Sequence, residues 1–341
     1  MLILGLETSC DETSVALLET GGENALHIRA NLIASQIEAH QLFGGVVPEI
    51  ASRKHLEAVN PLFDLLREES GVSFGDVDLV AVTRGPGLSG ALLVGVAAGK
   101  ALAYAHKIPC IGVNHVEGHI CSTLLENPDL EFPMLVLVVS GGHTDLILMR
   151  DFGDYTRLGH TRDDAVGEAY DKVARALGLP LPGGPNLEKI AAHGDPRAFG
   201  FTASNLEPSF DFSYSGLKTA ASQAAPKAPN RVADIAASFQ KAAISQIKKQ
   251  LARAVEEFMP RTVGLCGGVA ANQTLRDELQ GVCERESLDF VVPAPILCTD
   301  NAAMIAAAGF YRARQNGFPP FSLEMLDFEA KSVWPVAQKA V

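Results

Sequence analysis

The segment LILGLETSCDETSVALLE, residues 2–19, decides the fold of this chain. Its apolar runs at residues 2–7 and 14–19 predict two strands, and the small and acidic residues between them predict a turn. Hydroxyls and backbone N–H groups in such a turn can hold a phosphate. At the tip of the turn, Asp11 and Glu12 can hold a metal or polarise a water, although an acidic hairpin tip in solvent is the simpler explanation.

The same strand–turn–strand design returns at residues 134–149 as MLVLVVSGGHTDLILM. The two glycines of its turn allow the backbone to approach a ligand closely. Two hairpins of one design predict an internal duplication, in which two similar lobes each direct a phosphate-binding turn at a shared cleft. This is the logic of the two-lobed actin-like ATPase fold, an α/β architecture of duplicated RNase H-like lobes around a central nucleotide and metal site.

The order of the other elements sets the expected domain boundaries. A strand followed by a glycine-rich turn and a helix, as at residues 78–105, is typical of a parallel α/β crossover. We place the first lobe at residues 1–129 plus 300–325 and the second lobe at residues 130–299. Residues 326–341 show no clear periodicity and are expected to form a C-terminal tail.

Composition narrows the class of protein. The chain has 341 residues, 47% of them hydrophobic, which suffices for a large core. Its net charge of −12 argues against a general nucleic-acid coat protein and leaves room for a local basic patch. The six cysteines form no C-x-x-C pair, as expected of reduced thiols in the cytosol. The acidic N-terminal segment lacks the basic region of a signal peptide, so we expect a cytoplasmic protein.

Residues 114–119, NHVEGH, contain the first candidate metal ligands. On a helix, His115 and His119 lie one turn apart on one face, as a divalent metal requires. A zinc protease carries its glutamate directly after the first histidine, whereas Glu117 lies roughly 200° round the helix from His115. The pair is therefore either a metal site without a peptidase base or two histidines at a polar helix end.

Several later segments offer groups that can bind a nucleotide or a sugar. Four acids crowd the start of one predicted helix: Asp163, Asp164, Glu168 and Asp171. Either a ligand role or a solvated face explains them. The rigid turn at residues 181–188 suits backbone contact with a nucleotide, and Asn272, after a Gly-Gly turn, can bind ribose hydroxyls. Asp300 precedes a helix of small residues and is free to point into a cleft.

Ten sequence motifs spread over residues 1–310 carry a specific family resemblance. In chain order they are GLETSCDET, FGGVVPEIASRKH, TRGPGLSGALLVG, NHVEGH, VVSGGHTDL, DDAVGEAYDKVAR, PGGPNLEKIA, FSYSGLKTA, CGGVAANQTLR and CTDNAAMIA. Together they resemble the TsaD-type tRNA adenosine threonylcarbamoyltransferases, a family formerly labelled O-sialoglycoprotein endopeptidase. The family has the two-lobed actin-like ATPase fold, in agreement with the duplicated hairpins.

The resemblance implies a set of functional residues. The implied metal ligands are His115, His119 and Asp300, with iron as the expected metal and zinc as the alternative. The implied substrate-binding residues are Val138, Val139, Ser140, Gly141, Gly142, Asp171, Gly184, Glu188 and Asn272. Glu188 departs mildly from the family pattern, because many members have aspartate there, and its longer arm leaves the expected hydroxyl contact less defined.

The reaction that the resemblance implies is an acyl transfer to tRNA. The exocyclic amine of the adenosine next to the anticodon, in tRNAs reading ANN codons, attacks the carbonyl of threonylcarbamoyl-adenylate, and AMP leaves. An adenine nucleotide, either this adenylate or ATP or ADP, is the expected occupant of the cleft. A metal would polarise the carbonyl, and the backbone N–H groups of residues 140–142 would stabilise the developing oxyanion. Our own hypothesis assigns the catalytic base to Asp11 or Glu12.

The resemblance also implies partners. These are tRNA, an inactive TsaB-like paralogue that forms a heterodimer, and a small TsaE-like P-loop ATPase. No membrane is expected among the partners. Because the chain is acidic overall, we expect a local basic patch and the partner proteins to bind the tRNA jointly. The residues leave three alternatives: a metallopeptidase, which lacks a base beside the metal, a sugar-kinase-like phosphotransferase, which leaves three metal ligands unexplained, and a nucleotide-regulated binding module.

Overall fold

The structure of this protein is a computed structural model that describes residues 1–21 and 25–337. The first elements in chain order are β1 (Leu2–Glu7), β2 (Glu12–Thr20), β3 (Leu26–Ser35), α1 (Ile37–Gln41), α2 (Pro48–Ser70), β4 (Leu79–Gly85), α3 (Ser89–His106), β5 (Cys110–Asn114) and α4 (His115–Leu125). The next are β6 (Met134–Val139), β7 (Thr144–Asp151), β8 (Asp154–His160), α5 (Val166–Ala176), α6 (Gly183–Ala191), α7 (Ser215–Ala224), α8 (Val232–Phe258), β9 (Thr262–Cys266), α9 (Gln273–Glu286) and β10 (Asp289–Val291). The last are α10 (Pro295–Cys298) and α11 (Ala302–Asn316).

The internal contacts divide the chain into two units. Unit 1 consists of Met1–Leu130 with Pro293–Val336, and unit 2 consists of Glu131–Val292 with Ala337. The predicted boundaries differ at residue 130 and residues 293–299, which were expected in the second lobe, and at residues 326–336, which were expected in the tail. These residues lie in unit 1, where the N–H of Ala294 donates to the carboxylate of Glu126 (2.8 Å), just after α4. The end of the predicted tail, residues 338–341, lies outside the described residues.

Each unit contains one five-stranded mixed sheet, and the two sheets have the same topology. The strand order is β3-β2-β1-β4-β5 in unit 1 and β8-β7-β6-β9-β10 in unit 2. In each sheet the first three strands along the chain are antiparallel, and the last two continue in parallel from the first strand. The duplication predicted from the two hairpins is confirmed, and the chain has the α/β architecture of duplicated RNase H-like units.

The sequence pattern does not predict the third strand of either sheet. In β3 and β8 buried and exposed residues follow each other irregularly, because both are edge strands with partly exposed, charged side chains. Residues 220–230 are rich in alanine and proline. Helix α7 continues to Ala224, since the alanines of this segment favour a helix.

Small residues allow α11 to lie directly on the sheet of unit 1. A side chain at Gly5 of β1 would place its Cβ 2.1 Å from the carbonyl oxygen of Ala302, the first residue of α11. A side chain at Gly309 would meet Ala81 of β4 at 2.5 Å. Because neither glycine has a Cβ, the helix and the strands approach closely. The position of Asp300, immediately before α11, therefore depends on this contact.

Residues 328–334 pack across the loop that follows β4 instead of forming a separate tail. The backbone N–H of Lys331 donates to the carbonyl of Arg84 (2.7 Å). The guanidinium of Arg84 lies 5.5 Å from the ring centroids of both Phe328 and Trp334. These contacts use backbone groups and cation–π pairs, which leave no periodic pattern in the sequence, so the sequence does not predict them.

The six cysteines agree with the prediction from their spacing. All of them are free thiols in the described chain, and five are buried. Among residues 1–21 and 25–337, none of the helices combines the length and the apolar character that crossing a membrane requires.

We expect Gly5→Ala to lower the free energy of unfolding by about 1–3 kcal/mol, because the new methyl group would overlap the backbone of Ala302. Gly281→Ala is the matched control, since its Cβ would make only an ordinary contact with Arg285 (3.7 Å) and alanine favours helix α9. Urea unfolding followed by circular dichroism measures both variants. Unchanged stability of Gly5→Ala would show that this contact does not constrain α11.

Candidate metal centre and substrate-binding residues

The two predicted histidine ligands lie on the first turns of α4, as their spacing predicts. Asn114 begins this helix, because its side-chain oxygen accepts hydrogen bonds from the second and third N–H groups of α4 (2.9 and 3.3 Å). Its side-chain nitrogen donates to the carbonyl of Trp334 (2.8 Å), so the C-terminal segment fixes the same residue. The rings of His115 and His119 are 4.8 Å apart, centroid to centroid, and both are buried.

The third predicted ligand, Asp300, reaches the histidines from the start of α11. Asn301 caps that helix by accepting a hydrogen bond from the N–H of Met304 (3.1 Å). The Oδ1 atom of Asp300 lies 3.1 Å from Nε2 of His119 and 3.6 Å from Nε2 of His115. The three groups offer ligand atoms that all lie within 4.8 Å of one another. The structure therefore brings the two imidazoles and the carboxylate together within unit 1.

Glu7 orients His115, although the sequence analysis does not single it out. Its Oε2 atom lies 3.0 Å from Nδ1 of His115 and accepts a hydrogen bond from the hydroxyl of Thr83 (2.6 Å). Its Oε1 atom accepts a hydrogen bond from the N–H of Ser9 (2.5 Å). A carboxylate on Nδ1 fixes the ring and leaves Nε2 for a metal. The signal in the sequence is a lone acid that closes an apolar strand.

The electrostatics of this cluster fit a divalent cation. Burial alone would lower the pKa of His115, but the charges of Asp300 and Glu7 raise it to about 9. His119 is fully buried, and apart from the approach of Nε2 to the carboxylate of Asp300 (3.1 Å) neither of its ring nitrogens makes a hydrogen bond within the described chain. A buried imidazole is normally hydrogen-bonded or bound to a metal. The donor set of two imidazoles and a carboxylate therefore suits a divalent metal ion.

Glu117, the acid of the NHVEGH motif, ties α4 to α11. Its Oε2 atom lies 2.8 Å from Nε of Arg312, and its side chain is buried. The next residue, Gly118, leaves room for Ile305 of α11, whose Cδ1 would lie 2.7 Å from an added Cβ. Both contacts hold together the two helices that position the ligands. In this ion pair Glu117 is not available as a peptidase base, in agreement with the prediction from its spacing.

Asp11 and Glu12, the residues proposed for proton transfer, lie in unit 1 and are partly buried. Burial and the charges of Asp300 and Asp11 raise the pKa of Glu12 to about 10. Without a cation nearby, Glu12 is therefore protonated at neutral pH, so it can donate a hydrogen bond but cannot accept a proton. A positive charge at the cluster would lower this pKa.

In unit 2 the predicted turn at residues 138–142 is closed by its own hydrogen bonds. The first two side chains are fully buried in β6, so only their backbone can reach a ligand. The N–H of Ser140 donates to the carbonyl of His143 (2.8 Å), and the N–H of Gly142 donates to the Ser140 hydroxyl (3.3 Å). Of the three N–H groups expected to stabilise an oxyanion, only that of Gly141 has no hydrogen-bond partner within the described chain.

Three of the predicted substrate-binding side chains in unit 2 cap helices. Asp171 accepts hydrogen bonds from the N–H groups of Gly183 (2.8 Å) and Gly184 (3.3 Å) at the start of α6. Glu188 accepts from the first two N–H groups of α9 (2.7 and 3.4 Å). Asn272 caps α9 through the third N–H of that helix (2.8 Å), and its nitrogen donates to a glutamine of α8 (3.1 Å). Any ligand that contacts these side chains therefore binds groups that already accept hydrogen bonds from helix N–H groups.

The acids at the start of α5 serve the fold of unit 2. Asp163 accepts hydrogen bonds from two N–H groups at the start of α7 (2.7 and 3.2 Å). Asp164 forms ion pairs with Lys172 (3.0 Å) and Lys218 (2.5 Å). Structural roles therefore account for these two acids, and a ligand is not needed to explain them.

Comparison with known proteins gives a consistent result. A family model for tRNA N6-adenosine threonylcarbamoyltransferase, TsaD, matches residues 27–307. The chain is 51% identical over 333 residues to the tRNA N6-adenosine threonylcarbamoyltransferase of Halalkalibacterium halodurans, with 94% of each chain covered. It is 49% identical over 330 residues to that of Desulfitobacterium hafniense, with 95% of this chain and 96% of the relative covered.

Solved structures support the fold alone, because their sequence identity is low. Full-length HypF in its phosphate- and nucleotide-bound form matches with a TM-score of 0.60 at 14% identity, over 94% of this chain and 47% of that one. HypF of T. kodakarensis matches with a TM-score of 0.63 at 15% identity, over 92% of this chain and 48% of that one. This chain thus corresponds to about half of each HypF chain.

We expect Glu7→Gln to weaken binding of a divalent metal by about 10- to 100-fold, because the amide lacks the charge that orients and polarises His115. Glu19→Gln is the matched control on the same hairpin, where, among the described residues, the carboxylate pairs with the exposed Arg29 (2.9 Å). Titration calorimetry with zinc or iron(II) measures both affinities. Wild-type affinity in Glu7→Gln would exclude Glu7 as a positioning residue.

Proposed function

Because the chain belongs to the family of tRNA N6-adenosine threonylcarbamoyltransferases, we propose that it transfers a threonylcarbamoyl group from threonylcarbamoyl-adenylate to an adenosine of tRNA. The acceptor is the exocyclic amine of the adenosine next to the anticodon in tRNAs reading ANN codons. The amine nitrogen bonds to the carbonyl carbon, the bond from that carbon to the phosphate oxygen breaks, and AMP leaves. The amine loses one proton to a base.

One observation carries the proposal. Two imidazoles and a carboxylate converge within 4.8 Å in unit 1, in a chain about half identical to named transferases over nearly its whole length. The histidines lie on α4, and Asp300 precedes α11, which packs against α4. Glu7 and Asn114 hold His115 in place. Such a preorganised site suits a reaction whose transition state gathers negative charge on oxygen.

We infer one divalent ion at His115, His119 and Asp300, with iron expected and zinc as the alternative. Two imidazoles and one carboxylate are typical of both iron(II) and zinc sites that keep open positions. When bound, the ion would polarise the adenylate carbonyl and offset the charge on its oxygens. The carboxylate of Glu7 accepts a hydrogen bond from Nδ1–H of His115, so that Nε2 would be the nitrogen that binds the ion.

For the base we propose Glu12 or Asp11. The charge of Asp300 contributes to the raised pKa of Glu12, which supports its proximity to the proposed ligands. Glu12 can accept a proton only after a positive charge nearby has lowered that pKa. With the ligand site filled, the same carboxyl group would therefore change from a hydrogen-bond donor to a proton acceptor.

We propose that unit 2 binds the adenine nucleotide. A side chain at Gly184 would contact nothing within 4 Å, so the backbone there is open to a ligand. Within the described chain, Glu188 uses only Oε1 in its hydrogen bonds, which leaves Oε2 to accept a ribose hydroxyl. Asp171 supports this arrangement indirectly, because it holds the N–H groups of Gly183 and Gly184.

The transfer is proposed to need tRNA and two further proteins. By the family resemblance these are a TsaB-like paralogue and a TsaE-like P-loop ATPase. The net charge of −12 supports shared tRNA binding, because most of an acidic surface repels phosphates. A tRNA substrate and free thiols are consistent with a protein of the cytoplasm.

The alternatives have less support. A metallopeptidase needs a carboxylate that activates water at the metal, whereas Glu117 pairs with Arg312. A sugar-kinase-like phosphotransferase is compatible with the fold, but this activity does not explain the cluster of His115, His119 and Asp300.

We expect His119→Ala to lower the transfer rate by about 100- to 1000-fold, the scale for losing one preorganised stabiliser of an oxyanion. The assay combines the protein and its partners with threonine, bicarbonate, ATP and unmodified tRNA, and mass spectrometry of nucleosides detects threonylcarbamoyl-adenosine. His106→Ala, an exposed histidine at the end of α3, is the control and should retain activity. Absence of product with wild-type protein and a competent adenylate supply would refute the proposed function.

We expect Glu12→Ala to lose transfer while it still binds threonylcarbamoyl-adenylate, because the variant lacks the carboxyl group and keeps the nucleotide-binding residues of unit 2. Single-turnover assays with preformed adenylate separate the two steps. Glu19→Ala removes a partly exposed carboxylate from the other end of β2 and should leave transfer unchanged. Transfer at the wild-type rate in Glu12→Ala would remove Glu12 from the mechanism.

A further inference from the structure

A cavity of about 510 Å³ in unit 2 lies outside the residues assigned to the transfer. Its walls are residues 196–205, between α6 and α7, and one face of α8. Its volume is in the range of roughly 300–1,000 Å³ that small ligands occupy. We term it the basic groove and define it by Arg197, Phe199, Phe201, Lys241 and Lys249.

The basic groove is positively charged in an otherwise acidic chain. Three of its lining side chains are cationic and none is acidic, although acids outnumber bases 40 to 28 in the whole sequence. Lys249 pairs with Glu207 (2.7 Å), outside the lining. Within the described chain, Arg197 and Lys241 form no ion pair. Two cations without counter-charges line the same cavity as a third, which favours an anionic ligand.

The acids that adjoin the groove are engaged in the fold of unit 2. Asp195 accepts a hydrogen bond from the backbone N–H of Arg197 (2.9 Å). Asp234 accepts one from the N–H of Asp195 (2.9 Å) and pairs with Nε of Arg231 (2.9 Å). Neither interaction involves the guanidinium of Arg197 or the ammonium of Lys241, so those charges remain available to a ligand.

Two aromatic rings form part of the wall. Phe199 and Phe201 stack with centroids 5.5 Å apart and planes inclined by 12°, and both are partly exposed. The guanidinium of Arg231 lies over the ring of Phe199, 4.8 Å from its centroid. The rest of the lining combines hydroxyl and amide side chains with small apolar residues. Aromatic rings beside cations are typical of sites that stack a base and hold its phosphate in single-stranded nucleic acid.

We propose that the basic groove binds a single-stranded nucleotide of the tRNA, with the base stacked on Phe201 and the phosphate near Arg197 and Lys241. This rests on the proposed function, which supplies tRNA as the ligand. The groove contains no proposed metal ligand or proton-transfer residue, so the contact holds the tRNA and takes no part in bond formation. A free mononucleotide offers the same chemistry, and its affinity is a separate arm of the test.

The test measures binding of unmodified tRNA to the protein with its partners, by fluorescence anisotropy at several salt concentrations. Phe201→Ala is expected to raise the Kd for tRNA about 5- to 100-fold, as for the loss of one base–aromatic stack. Lys241→Gln should raise the Kd. It should also reduce the magnitude of the slope of log K against log salt concentration by about 0.7, the value for one single-strand phosphate contact. Lys248→Gln, on the same helix but paired with Glu278 outside the groove, should change neither.

Each outcome decides the proposal. Unchanged tRNA affinity in both groove variants would overturn it, and so would a raised Kd for AMP with an unchanged Kd for tRNA. If Phe201→Ala fails to fold, as judged by thermal denaturation, Lys241→Gln decides alone. Weakened tRNA binding in the variants would support the groove. This holds even if the wild-type protein forms no threonylcarbamoyl-adenosine, because absence of that product would refute the transfer and not the binding.

Discussion

The close approach of α11 to β1 and α4 is the constraint on which the proposed metal centre depends. Gly5 and Gly118 have no side chains where these elements meet, and the Glu117–Arg312 ion pair joins the two helices. The chain can therefore place Asp300, which follows almost the whole of unit 2 in sequence, beside a pair of histidines. A bulkier residue at either glycine would move the carboxylate relative to the imidazoles, and a metal site tolerates little displacement.

The two units share one topology but have diverged in their hairpin turns. In unit 1 the turn is acidic, and with Glu7 and Asp300 it concentrates negative charge, which raises the pKa of Glu12 and of His115. In unit 2 the corresponding turn contains Gly141 and Gly142 and is closed by its own hydrogen bonds. A duplicated fold thus carries an acidic turn beside the candidate cation site in one copy and a glycine turn with internal hydrogen bonds in the other.

Much of the fold can be predicted from the apolar runs, because β1 and β6 are continuous and buried. The edge strands β3 and β8 have no regular apolar pattern and cannot be predicted in this way. Helical spacing predicts the histidine pair, but no spacing links it to Asp300, which only the family resemblance supplied. The sequence does not predict the role of Glu7, because its partner, His115, lies on another element. For Asp171 and Asn272, sequence alone cannot separate ligand binding from helix capping, since both need a polar side chain at a helix start.

Anomalous X-ray diffraction from crystals grown with zinc or iron(II) tests the central claim most directly. We predict one ion bonded to Nε2 of His115, Nε2 of His119 and the carboxylate of Asp300, at about 2.0–2.2 Å. Nδ1 of His115 should remain hydrogen-bonded to Glu7. An ion bound elsewhere in the protein, or one coordinated by Glu117, would contradict the account.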